Sequence, residues 1–537
     1  MAAPAGLQKL FARDATGLTK QLSALDSLAI ALSSMGPLFA FNVIVFLPSL
    51  YPQANLLVTP LLGLVIMLPV AGVYILMSIA MPRAGGDYVW VSRVLHPSIG
   101  FVSNFALSLI SLATIGIGTP TIVQWASAEM FYDFGILYNN QSYLNIATSL
   151  QNSTTIFEWS AALIIVAGLI VIFSSRFSAA VLKYWTIAAM VIGVVFVATV
   201  ALAGSGAFAS NFDRLSGSNY DSVIAAGQSA GSYAGIPPAI SSATLYASAA
   251  SGALGFLGFY NPVYVAGEVK QARRSMITAQ LGALIIFAVF AFAVSAAEYF
   301  GEGPSFANAM ATLWISGSSH FPYVAAPLAS GMSVFWTQNP LLIGTFNMGY
   351  ALTIELFNIA TLFVFARNLF AWSFDKVMPT AFASVNGRTH TPIKATVVMT
   401  AVAIVYVYIS VFQFGILASY FSYSVAGTFL ATIIVAVAAI VYPYRRKDIF
   451  AKADGISSRM MGGIPLVTLF GLLTLVSSVI IVYSVVAPIL TATFPTVLVE
   501  GIIPSFIIGA VLFAVAWVVR KSQGLDLGLL QREIPPE

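Results

Sequence analysis

The chain has 537 residues, 59% of them hydrophobic and only 8% Asp, Glu, Lys or Arg. A soluble domain carries about 25% charged residues to solvate its surface, so this composition excludes that class and points to a lipid bilayer as the main solvent. The absence of cysteine excludes disulfides and thiolate metal chemistry, and His96, His320 and His390 are too scattered to form a cluster.

Met1–Ser23 lacks a short apolar core followed by a small-residue cleavage site, so it does not read as a signal peptide. Leu7, Leu10, Phe11 and Leu18 suggest a short surface helix within a cytoplasmic N-terminus at 1–25. A hydrocarbon core needs about 20 apolar residues per helical crossing. Runs of that kind predict an all-α membrane protein with twelve spans, at 26–48, 56–80, 101–129, 158–174, 185–204, 246–266, 276–298, 340–366, 394–412, 417–442, 464–488 and 498–519. The spans divide into two five-helix sets, 26–204 and 246–442, separated by an outer loop at 205–245. A cytoplasmic loop at 443–463, two peripheral helices at 464–519 and a cytoplasmic tail at 520–537 follow.

Basic residues orient this arrangement. With the N-terminus inside, the seven cytoplasmic segments hold 22 of the 23 Lys and Arg residues, and only Arg214 falls outside. The basic excess is therefore topology, and no nucleic-acid footprint is left over. The outer loops contain the sequons Asn140-Gln141-Ser142 and Asn152-Ser153-Thr154. Gly303–Asn339 is too polar and proline-punctuated to span, and reads as a re-entrant or lid-like element over an outer vestibule.

Two spans are interrupted. The first contains Ser33-Ser34-Met35-Gly36-Pro37, where Pro37 removes a helical donor. The sixth contains Gly252, Gly255 and Gly258, then Phe259-Tyr260-Asn261-Pro262. Glycines for close packing and a simple proline kink would account for either break alone. Their corresponding places at the head of each five-helix set favour a binding role, as in inverted-repeat transporters. On that reading Ser33, Ser34, Met35 and Gly36, with Gly255, Phe256, Gly258 and Tyr260, line one central substrate site. Unwound backbone would hold a carboxylate and an amine, and the two aromatics would cover an apolar side chain.

Several loop motifs carry a resemblance. Met81-Pro82-Arg83-Ala84-Gly85-Gly86-Asp87-Tyr88-Val89-Trp90 resembles the signature after the second helix of amino acid–polyamine–organocation (APC) permeases. Gly258-Phe259 with Ala266-Gly267-Glu268-Val269-Lys270 and Arg273-Arg274 is similar to that family's stretch through and after the sixth helix. Ala366-Arg367-Asn368 through Phe374-Asp375-Lys376, then Met378-Pro379 and Thr391-Pro392, resembles its loop after the eighth. Pro443-Tyr444-Arg445-Arg446, Gly463-Ile464-Pro465 and the tail from Gly524-Leu525-Asp526 to Glu533-Ile534-Pro535-Pro536 fit as well.

The resemblance implies a LeuT-like fold of five-plus-five inverted repeats with discontinuous helices 1 and 6, in a prokaryotic plasma membrane. It implies a secondary active transporter moving a small-molecule amino acid by alternating access, with no cofactor and an ion, H+ or Na+, as the coupling species. The chain departs from the family at Ser34-Met35-Gly36-Pro37, at Tyr260 where an acid is common, and at Ala189 where some proton-coupled members have a lysine.

Glu355 is the one acid placed near the middle of a predicted span, about 18 Å of helix from Arg367. A carboxylate at such depth is costly and faces the bundle or a wet cavity; with the lysine missing, it becomes the candidate for proton coupling. Asn358 and Thr361 offer oxygen atoms to a cation instead, which keeps sodium open. The loop from Arg83 to Arg93 reads as a gating element, with Asp87 pairing a basic residue such as Arg83 or Arg367. Gly227-Gln228-Ser229-Ala230-Gly231 matches the hydrolase elbow pattern but sits in a Gly/Ser-rich loop ahead of Pro237-Pro238, without the strand–turn–helix context that motif requires. The alternatives to an ion-coupled amino acid carrier are an amino acid sensor on the same fold, a channel, or an uncoupled carrier of polyamines or other organic solutes. Oligomeric state is not legible in the sequence.

Overall fold

The computed structural model describes residues 18–42, 47–48, 50–413, 420–453, 455–486 and 501–530. The surface helix expected from Leu7, Leu10 and Phe11, and the Glu533–Pro536 part of the tail, lie outside these residues.

The chain is a helical bundle. In order, it contains α1 (Ala24–Met35), α2 (Thr59–Ala80), the short α3 (Asp87–Val94), α4 (Pro97–Gly118) and α5 (Ala128–Tyr138). Then come α6 (Ser153–Phe173), α7 (Ser175–Leu215), α8 (Ser242–Phe256), α9 (Ala272–Glu302) and α10 (Pro304–Ile315). The remainder comprises α11 (Pro340–Phe374), α12 (Ile393–Phe412), α13 (Tyr420–Arg445), α14 (Leu466–Val486) and α15 (Ile503–Ser522). Before α14 a two-residue hairpin pairs Met460 with Pro465 and Met461 with Ile464. Among the described residues, 11 helical stretches are long and apolar enough to cross a membrane. The expected sixth span, 246–266, is the exception: its helix begins at Ser242 and stops at Phe256, and only short 3-10 turns follow.

Burial separates core from rim. α11 packs against α1, α4, α6, α7 and α12, and 83% of its most apolar window is buried, against 17% for α15. Lipid-facing side chains of α7 such as Ile187, Val191 and Val194 are exposed, while Ala189, Gly193 and Phe196 on the opposite face are buried. That stripe is what an amphipathic pattern becomes when the outer solvent is apolar and the inner face holds the small residues. Gly193 illustrates the inner face: a Cβ there would lie 2.2 Å from the Phe290 ring of α9.

Several outer segments are more ordered than loops. The stretch 205–245, expected as a loop, continues α7 to Leu215 after a sharp kink at Gly204 (φ +72°) and contains a further helix, Tyr220–Ser229. Its small polar residues disguised the periodicity, but Phe208 and Phe212, one turn apart, bury against Phe306 and Phe335. Ser229 ends that helix and donates to Ala225 O, so the elbow-like pattern has no strand before it. Asn140 and Asn152 of the two sequons both cap helices, accepting from Ser142 N and Thr154 N. Within Gly303–Asn339, α10 and a 3-10 turn at Gly331–Phe335 pack inward, with Phe306, Met310, Met332 and Phe335 buried.

Candidate functional site

Both predicted breaks are present. α1 stops at Met35 because Gly36 takes φ +71° and Pro37 supplies no N–H. Gly36 N closes the helix by donating to Leu32 O at 3.0 Å. The chain resumes as a 3-10 turn, Pro37–Asn42, whose Leu38 N donates to Thr353 Oγ1 of α11 at 3.3 Å. A freed backbone donor inside a membrane bundle thus finds a side-chain acceptor on a neighbouring helix.

In the second break α8 stops at Phe256 and Gly258 takes φ +93°. The 3-10 turns Asn261–Tyr264 and Ala266–Glu268 follow. The two breaks touch: a Cβ on Gly258 would lie 2.6 Å from Ser34 Cβ and 2.7 Å from Ser34 O. A Cβ on Gly36 would likewise lie 2.9 Å from Thr353 Cγ2. Only glycine fits either position, for both backbone angle and space.

The eight residues read from the sequence as one site divide into two groups. Gly258 closes on Ser34, with Ser33, Met35 and Gly36 adjoining Ser34 along the first break, and all five are buried. Ser33 Oγ lies 2.7 Å from Thr186 Oγ1 of α7, and Ser34 Oγ donates back to Ile30 O. Gly255 and Phe256 lean instead on Phe287 of α9, the two rings 5.2 Å apart at 67°. Tyr260 packs on Tyr74 of α2 at 4.8 Å. The two aromatics therefore diverge from the break, each engaged by another helix.

Glu355 lies on α11 two residues beyond Thr353 and is 7% exposed. Its Oε2 accepts from Asn358 Nδ2 at 3.0 Å, and Thr119 Oγ1 of the segment following α4 donates to Asn358 Oδ1 at 3.3 Å. Glu355 Oε1 and Thr361 Oγ1 are buried without a hydrogen-bond partner among the described residues. Glu355 is not alone in the bundle: Glu129, Asp133, Glu298 and Glu302 are also buried, the first and third at the ends of predicted spans, and Asp133 and Glu302 where those spans run further than the hydropathy suggested.

At the end of the bundle richest in basic residues, a polar network ties the segment after the second break to the rest. Glu268 forms a buried ion pair with Arg367 of α11 at 2.9 Å, and Arg367 also donates to Ser175 Oγ and to Phe363 O. Glu268 O accepts from Gln21 N and Leu22 N, and Lys270 N donates to Leu22 O, so the N-terminal segment forms a short strand-like clasp on the same turn. Arg93 pairs with Asp375 at 2.6 Å, and Tyr88 Oη donates to the same carboxylate.

The expected pairing of Asp87 with Arg83 or Arg367 is not what the structure has. Asp87 accepts from Asn104 Nδ2 at 2.6 Å, from Tyr264 Oη at 3.0 Å and from Tyr74 Oη at 3.5 Å, while Arg367 is engaged by Glu268. Burial beside neutral donors pushes the Asp87 carboxyl up to about 6. Gly85 and Gly86, at φ +92° and +46°, make the turn that delivers Asp87 there, and Gly85 N donates to Tyr264 O at 3.1 Å. The pairings Glu268–Arg367 and Arg93–Asp375 escaped sequence reading, since all four residues lie in loops or helix ends where a solvated charge is the ordinary expectation.

A sequence model of the amino acid permease family matches residues 22–517. Among solved structures, the chain resembles MhsT in complex with L-phenylalanine, with a TM-score of 0.52 and 13% identity over 88% of this chain and 99% of that one. At that identity the likeness shows the fold alone, a LeuT-like one. No curated protein matches the chain by sequence.

Proposed function

The chain belongs to the amino acid permease family, a transporter in a multi-pass membrane fold, and on that premise we propose that it carries an amino acid across the plasma membrane by ion-coupled alternating access. The observation that supports this reading is the direct contact of two helix breaks, Gly258 on Ser34, in the buried middle of the bundle. Breaks expose donors and acceptors that an amino acid's carboxylate and amine can use. Ser33, Ser34, Met35, Gly36 and Gly258 would form the polar part of the site; Gly255, Phe256 and Tyr260 would form its apolar wall once Phe256 or Tyr260 swings from its present neighbour. That MhsT was solved with L-phenylalanine agrees with an amino acid substrate.

Glu355 is the coupling group in this proposal, carrying a proton, with Asn358 and Thr361 as the ligands if the ion is sodium. The loop from Arg83 to Arg93 acts as the cytoplasmic gate, since Asp87 and Arg93 hold it to α4, to the segment after the second break and to the end of α11. The basic residues gathered at that end support a cytoplasmic position for it.

Counterflow of radiolabelled amino acids in proteoliposomes tests the proposal. A carrier exchanges internal for external label; a sensor that only binds, or a channel, gives no accelerated exchange and would overturn it. Gly258→Val should insert in the membrane normally but lose counterflow, because both φ +93° and the contact with Ser34 forbid a branched side chain.

A further inference from the structure

Away from the breaks, at the opposite end of the bundle from the Glu268–Arg367 pair, α5 carries two acids one turn apart, Glu129 and Asp133. Both are 0% exposed. They meet the 3-10 turn at Gly331–Phe335 and the first turns of α11. The Glu129 carboxylate presses on Gly331, where a Cβ would lie 2.2 Å from Oε2. Tyr323 Oη lies 2.7 Å from both Asp133 Oδ1 and Gly331 O, with one proton to donate between them. Asn347 Nδ2 donates to Ser330 O at 3.2 Å and reaches Asp133 Oδ2 at 3.5 Å.

Several polar atoms of this cluster are left over. Both Glu129 oxygens, Asn347 Oδ1 and Ser330 Oγ are buried without a hydrogen-bond partner among the described residues. Asn347 Oδ1 belongs to the carboxamide whose nitrogen reaches Ser330 O, Ile343 O and Asp133 Oδ2. No Lys, Arg or His forms an ion pair with either acid among the described residues. A carboxyl buried without a partner either keeps its proton or meets a cation, since the bare carboxylate costs several kcal/mol. The unsatisfied oxygens of a carboxylate, an amide and a hydroxyl, beside a second carboxylate, are a ligand set for a hard cation.

We propose that Glu129, Asp133, Asn347 and Ser330 form a binding site for a hard metal cation that pins the Tyr323–Phe335 segment to α5 and to the start of α11. Two carboxylates balance a divalent ion of the calcium class outright; a sodium ion would use the same oxygens and leave one negative charge for Tyr323 and Asn347 to stabilise. Helix 1 and the substrate breaks contribute nothing to the site, so it is separate from the coupling role proposed for Glu355.

The full-length protein, purified in detergent and stripped with chelator, is titrated with CaCl2 and, separately, with NaCl replacing choline chloride. Binding is read by isotope uptake and by melting temperature. One cation should bind at one per chain and raise the melting temperature, as a ligand of the folded state must. Glu129→Gln should abolish both effects, and Asn347→Asp, which adds a carboxylate, should tighten calcium binding while lowering the melting temperature of the stripped protein. If the stripped wild type binds neither ion, or if Glu129→Gln still takes up the ion that the wild type binds, the site does not exist. Because the wild-type titration stands by itself, a Glu129→Gln variant that fails to fold does not shield the proposal.

Discussion

Glu355 and Asp87 are both buried acids held by neutral partners, yet their places in the fold give them different consequences. Glu355 has one oxygen on Asn358 and one without a partner among the described residues, within a helix that also receives the backbone of the first break through Thr353. On the proposed coupling, Glu355→Gln keeps the bond to Asn358 and leaves counterflow intact, but removes accumulation driven by an imposed pH gradient; a mutant that still concentrates substrate assigns coupling elsewhere. Asp87 sits outside the spans and its folded value, about 6, lies above the ordinary 3.8. A raised acid stabilises the fold relative to the unfolded chain at pH below the ordinary value, and that contribution is lost as pH rises through 6. At about 1.4 kcal/mol per decade of proton affinity the loss is roughly 3 kcal/mol. Asp87→Asn imitates the protonated acid, so its melting temperature should match the wild type near pH 4 and exceed it increasingly up to pH 7. A gap that does not change with pH would show that Asp87 does not titrate in this window.

At the scale of elements, the segment after the second break is held by charge rather than by helical continuity. Ala266–Glu268 is a single 3-10 turn, too short to hold itself. The Glu268–Arg367 pair, with side chains 2% and 0% exposed, anchors it to α11. Removing one partner of such a pair strands the other and costs about 3–5 kcal/mol, whereas replacing both with apolar residues of similar size is far milder. Glu268→Gln should therefore lower thermal stability strongly, and Glu268→Gln combined with Arg367→Met should recover part of the loss in a double-mutant cycle. Additive losses would mean that the pair does not act as a unit. The elements also show where sequence reading met its limit. The breaks at Gly36 and Gly258 were legible because proline and clustered glycines disrupt an apolar run in a way that has few other causes. The helix at Tyr220–Ser229 and the continuation of α7 to Leu215 were not, since Ser, Gly and Asn there mimic a loop and only packing of Phe208 and Phe212 makes them helical.

At the scale of the molecule, orientation is open to a clean test because the chain has no cysteine to remove. Gly387, whose Cβ position is open, lies in the loop before α12, and Gln228 is exposed near the end of the helix Tyr220–Ser229. Gly387→Cys should react with an impermeant maleimide only after permeabilisation of the cells, and Gln228→Cys in intact cells. The reverse pattern would invert the topology drawn from the basic residues.

The sequence by itself determined the class, the succession of spans and the two places where helices break, because bilayer thickness, charge and the chemistry of Gly and Pro act locally along the chain. Its loop motifs also carried the family resemblance across nearly the whole length. Only the tertiary structure decided what each polar residue faces. Asp87 meets Tyr264, not an arginine; Phe256 and Tyr260 diverge toward α9 and α2; and Glu129 and Asp133 close on Ser330 and Asn347, some two hundred residues away in the chain. Such pairings join residues that hydropathy treats alike, and they follow from helix packing, in which a rotation of one residue, about 100°, turns a side chain from lipid to core.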